Sequence, residues 1–87
     1  MDHVREFIDQ IIDSPMRFPI VVQVFGKPET AIAVILQARR LGYVSVIMDG
    51  TDVPTWKIEE AERTKQFGKC SDWIISATDE GAEAWWG

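Results

Sequence analysis

The chain has 87 residues and 9.9 kDa; 46% are hydrophobic and 26% charged, the composition of one globular domain rather than of a disordered segment. Fourteen acids against nine bases leave a net charge of −5 and a pI near 4.7. That disfavours a nucleic-acid or anionic-membrane binder, since both need a basic face. One cysteine excludes an internal disulfide and a cysteine-built zinc site, and one histidine excludes a multi-histidine metal centre, so no metal or cofactor is expected.

A chain this short buries only about 60–65% of the surface its unfolded form exposes, so the core has to be dense in apolar residues. The start, Met1-Asp2-His3-Val4-Arg5-Glu6, lacks the basic and apolar regions of a signal peptide. The longest apolar run, Ala31 to Leu36, is far short of the roughly 20 residues of a bilayer span. There is no asparagine to glycosylate. These features predict a reduced, cytoplasmic protein without membrane contact.

The first segment places Val4, Phe7, Ile8, Ile11 and Ile12 at the spacing of an amphipathic helix that Ser14-Pro15 ends. Phe18 to Phe25, FPIVVQVF, is rich in β-branched residues and almost wholly apolar, which predicts a strand buried on both faces. Gly26-Lys27-Pro28 breaks it. Pro28 suits the first turn of a helix reaching about Leu41, with Gly42 as its C-terminal cap and Arg39 and Arg40 at the negative end of its dipole. Tyr43 to Asp49 predicts a second strand. Residues 50–68 admit a helix from about Pro54, with Val53, Trp56, Thr64 and Phe67 on one face, or an antiparallel strand from Val53 to Ile58; the helix is preferred because Pro54 would force a strand to an edge. Trp73 to Ala77 predicts a third strand and Thr78 to Gly81 a turn. Ala82 to Trp86 fits a short edge strand or a last helical turn.

The order α-β-α-β-α-β(-β) predicts an α/β domain with a small, mostly parallel sheet of three or four strands and helices packed on it. A strand–helix–strand crossover makes its strands parallel in nearly all cases. The strand reading of residues 53–58 gives the alternative, a ferredoxin-like βαββαβ layer with an extra N-terminal helix.

No catalytic set emerges. Asp49-Gly50-Thr51-Asp52 is similar to the loop of haloacid-dehalogenase-type phosphatases, but the nucleophilic carboxylate they carry two residues before the Asp of Asp-Gly-Thr is Ile47 here; the segment reads as an Asp-Gly turn. Gly26-Lys27-Pro28-Glu29-Thr30 matches neither phosphate-binding glycine motif. If a ligand binds, the expected place is the carboxyl ends of parallel strands, at Gly26, Lys27, Asp49 and Thr51. Cys70 reads as a loop thiol whose pKa Lys69 would lower somewhat.

Residues 19–78 resemble the anticodon-binding α/β domain of class II aminoacyl-tRNA synthetases. The resemblance rests on Pro19-Ile20-Val21-Val22-Gln23-Val24 as an opening strand and Leu41-Gly42 before a strand ending at Asp49. It extends to Lys57-Ile58-Glu59-Glu60-Ala61 in a helix, then Gly68 and the strand from Trp73 to Ser76. It implies a parallel α/β fold, a helix over residues 54–67 and tRNA binding; no functional residue is carried over from it.

The charge is unevenly distributed. Residues 1–44 hold five acids and five bases, whereas residues 45–87 hold nine acids and four bases, and from Cys70 onward there is no base. Trp85-Trp86-Gly87 closes that acidic stretch. Tryptophan anchors ringed by acids predict a non-enzymatic interaction module, a regulator or inhibitor of the kind encoded by phages or mobile elements, docking on a protein with a basic surface or on a second copy of itself. The expected interface residues are Trp85, Trp86, Trp56, Asp79, Glu80 and Glu83. The alternative is a small-ligand- or RNA-binding α/β domain.

Overall fold

A computed structural model of the chain describes residues 3–86; Met1, Asp2 and Gly87 of the expected ends lie outside them. The elements run in the order α1 (His3–Ile11), β1 (Met16–Arg17), α2 (Phe18–Phe25), α3 (Pro28–Arg40), β2 (Val44–Met48), β3 (Thr51–Asp52), α4 (Thr55–Thr64), a 3₁₀ turn (Phe67–Cys70), β4 (Ile74–Ala77) and α5 (Asp79–Trp86).

The four strands form one sheet in the order β1-β4-β2-β3. Every pairing is antiparallel: Met16 lies opposite Ile75, Val46 opposite Ile75, and Ile47 opposite Asp52. The protein is a mixed α/β domain whose sheet is antiparallel, not mostly parallel. After α1 its elements run β-α-α-β-β-α-β, the element order of the ferredoxin-like alternative, but with strands at Met16–Arg17 and Thr51–Asp52 rather than at residues 18–25 and 53–58. One residue run accounts for the correction. Phe18 to Phe25 is a helix, so neither the strand predicted there nor the opening strand that the synthetase resemblance places at Pro19–Val24 exists. The strand before the crossover is the two-residue β1, and β4 lies between it and β2.

The helix has physical reasons. Phe18 and Val21 are buried and Val22 and Phe25 half-buried, which is the i, i+3, i+4, i+7 stripe of a helix, while Pro19, Ile20, Gln23 and Val24 face solvent. Because the outward positions are also mostly apolar, the period is invisible in the composition. Pro19 sits in the first turn, where its missing N–H costs nothing. Gly26 ends the helix at φ +84, and its N–H donates to the Val22 carbonyl at 2.7 Å. A strand apolar on both faces needs a layer on each side; helix α2 needs one. After Gly26-Lys27 the chain bends by 110° into α3.

The core lies between the helices and one face of the sheet. Val4, Phe7, Ile8 and Ile11 of α1 and Ala31, Ile32, Ile35 and Leu36 of α3 pack with Val44, Val46 and Ile75. The opposite sheet face carries Ser45, Ile47, Ile74 and Ser76, with Ile74 exposed.

The expected helices α1 and α3 and strands β2 and β4 are present within a residue or two of the predicted ends. Helix α4 is present but stops at Thr64, three residues short of the expected end at 67, and buries Ile58 and Ala61 rather than Trp56 and Thr64. The Asp-Gly turn read at Asp49-Gly50 is present, with both φ angles positive, 52 and 76, and it closes a two-residue hairpin to a strand, β3, that the sequence reading did not include. Of the two readings of Ala82 to Trp86, edge strand or last helical turn, the helical one holds, and the helix begins earlier, at Asp79, within the segment expected to be a turn. Among the described residues, no single helix is long and apolar enough to cross a membrane.

Candidate interaction surface

The C-terminal helix is positioned by Thr78. Its hydroxyl donates to the Gly42 carbonyl at 2.6 Å and accepts the Gly81 N–H at 3.1 Å, which is N-cap geometry. The Thr78 N–H also donates to the Tyr43 carbonyl at 2.9 Å. Gly81 then lies flat against the Tyr43 backbone, so α5 approaches the α3–β2 connection more closely than any side chain permits.

Two faces of α5 follow from this contact. Gly81 and Trp85, four residues apart, turn toward the body of the protein; Trp85 packs against the core, and its indole Nε1 donates to Asp9 Oδ1 of α1 at 3.1 Å. Asp79, Glu83 and Trp86, at i, i+4 and i+7, share the outward stripe. All three are exposed, as is Glu80, and Trp86 is 77% exposed. The Trp86 ring meets Trp85 edge to face, with centroids 4.8 Å apart at 77°. The two tryptophans thus divide the work: Trp85 fastens α5 to α1, and Trp86 stands on Trp85 in solvent.

Trp56 is also solvent-facing, 59% exposed in the first turn of α4 with the Lys57 ammonium 5.9 Å from its ring centre. It belongs to a different part of the molecule, because α4 packs on α3 while α5 packs on α1. The fourth tryptophan, Trp73, is buried edge-on against Phe18 at 6.1 Å.

The residues grouped as a ligand site lose their common ground. Gly26 and Lys27 form a corner between two helices, and Asp49 and Thr51 belong to the hairpin. Without a parallel sheet there is no shared strand end to hold a ligand. Among the described residues no group of three or more histidine, cysteine or acidic side chains could hold a metal ion.

Cys70 is 1% exposed, and burial pushes its thiol up from 9.0 to about 11, the reverse of the lowering expected from Lys69. It therefore stays protonated at neutral pH and is a poor nucleophile. Iodoacetamide at pH 8 should alkylate Cys70 in the folded protein at least about tenfold more slowly than in the urea-unfolded chain; equal rates would show that the thiol is not buried.

Comparison with protein-family models, with curated proteins and with solved structures found no match.

Proposed function

We propose that the chain is a non-enzymatic interaction module that docks through the outward stripe of α5 on a protein with a basic surface, in the manner of the small acidic regulators and inhibitors of phages and mobile elements. The observation that carries this reading is the placement of Trp86. Among the described residues it is the most exposed of the large apolar side chains, resting on Trp85 and aligned with Asp79 and Glu83. An exposed tryptophan backed by a neighbouring ring is the kind of side chain on which interfaces concentrate binding energy. Carboxylates beside it set orientation and accelerate encounter with a cationic partner.

The division between the two tryptophans supplies the test. Affinity capture from nuclease-treated host lysate should retain one dominant protein. Trp86→Ala should abolish that capture while changing stability by less than about 0.5 kcal/mol, as expected of an exposed side chain. Trp85→Ala should cost about 1–2 kcal/mol, since it removes half-buried aromatic packing and the hydrogen bond to Asp9. Replacing Asp79, Glu80 and Glu83 by lysine should weaken capture most at low salt. Undiminished capture of the same protein by Trp86→Ala would overturn the assignment of this surface.

A further inference from the structure

A pocket of about 220 Å³ opens between α4, the 3₁₀ turn and the end of β2, away from α5. Its apolar wall consists of Met48, Ala61, Cys70 and Trp73. Burial keeps the Cys70 thiol uncharged, so this wall carries no charge of its own. Lys57 and Lys69 also line it, and Glu60 is the one acid among its lining residues, beside the uncharged Thr64 and Gln66. The balance is unusual for its surroundings: residues 45–87 carry nine acids and four bases, yet two of those bases and one acid line this pocket.

We propose that this pocket binds a small, flat aromatic anion of one or two rings, such as an aryl carboxylate. The volume equals that of about seven waters and lies below the roughly 300 Å³ at which drug-sized sites begin, which limits the ligand to that size. The ring system lies against the indole and the two sulfur-bearing side chains, whose polarisable surfaces favour aromatic contact. The carboxylate meets the lysine ammonium groups, and Glu60 disfavours a second negative charge. The site shares no residue with the outward stripe of α5, so it stands or falls independently of the interaction reading.

The test uses 2-naphthoate and its neutral relative 2-naphthylmethanol, titrated into ¹⁵N-labelled protein. Naphthoate should shift the amides of Ala61, Cys70 and Trp73 saturably and bind about tenfold more tightly than the alcohol. Lys57→Gln/Lys69→Gln should remove that preference, the scale of two charge-assisted contacts at a partly exposed mouth. Both lysines are exposed, so this variant is expected to fold as the wild type does. Ala61→Leu should fill the pocket and abolish the shifts with both compounds. The proposal is overturned if millimolar naphthoate leaves these amides unmoved, if the shifts appear on α2 or α5 instead, or if the acid and the alcohol bind equally well.

Discussion

Gly81→Ala is expected to destabilise the protein by about 3 kcal/mol, lowering its melting temperature by about 12–24 °C. A methyl group at this position would overlap the Tyr43 carbonyl oxygen and lie 2.9 Å from the carbonyl carbon and 3.1 Å from Tyr43 Cα. The obstacle is backbone rather than the far end of a flexible side chain. It is held in place because the same carbonyl accepts the Thr78 N–H at 2.9 Å. Relief requires α5 to lift away, which also breaks the Thr78 contact with Gly42 and the Trp85 bond to Asp9. Intrinsic propensity points the opposite way, since alanine favours a helix over glycine by about 1 kcal/mol. The sign of the effect therefore separates a helix docked on Tyr43 from one that is merely helical. Gly68→Ala is the control, because nothing lies within 4 Å of the position a methyl group would take there. Urea unfolding of the two variants reads the difference directly, and a Gly81→Ala protein as stable as the wild type would rule out the close approach.

The elements legible in the sequence are those whose period and ends agree. Helix α1 alternates Val4, Phe7, Ile8 and Ile11 with charged residues, and α3 is bracketed by Pro28 and Gly42, so pattern and punctuation point the same way. Phe18 to Phe25 reads as a strand because apolar residues occupy both the inward and most of the outward positions, and Gln23 alone is too little to reveal a helical period. The informative signals were Pro19 near the start and Gly26 just past the end, an asymmetry that belongs to helices. Two shorter signals were also present. Asp49-Gly50 after an apolar strand marks a two-residue hairpin. Thr78 before Asp79-Glu80 marks a helix start, with acids in the first turn.

The candidate surface was legible in residue type but not in role. The sequence shows two adjacent tryptophans; which one is covered depends on Asp9, 76 positions away, and no local pattern carries that contact. Trp56 appeared equivalent to them and instead lies on a helix that packs elsewhere. The pocket was illegible for the same reason. Met48, the lysines around Ala61 and Cys70, and Trp73 meet only after α4 and the 3₁₀ turn fold back beside β2.

Phe7→Ala tests the support on which the α5 surface depends, and a loss of about 3–5 kcal/mol is expected. Phe7 is 0% exposed, lies in the middle of the buried stripe of α1, and meets Phe25 edge to face at 5.9 Å and 64°. Removing its ring empties the junction where α1 joins α2 and the core, a space that the close-packed interior fills only partly by relaxing. At about 0.05–0.15 kcal/mol per residue, a domain of this length has roughly 4–13 kcal/mol in total, so the variant should be near the edge of folding at 37 °C. Phe7→Leu retains much of the volume and should lose far less, about 1–1.5 kcal/mol. Thermal unfolding of the pair, followed by circular dichroism, checks both values. The result bears on function as well as stability, because α1 carries Asp9, Asp9 holds Trp85, and Trp85 supports Trp86. A Phe7→Ala cost below about 1 kcal/mol would mean that α1 is not a fixed platform. The exposed tryptophan would then lose the rigid support that distinguishes an anchor from a loose tail.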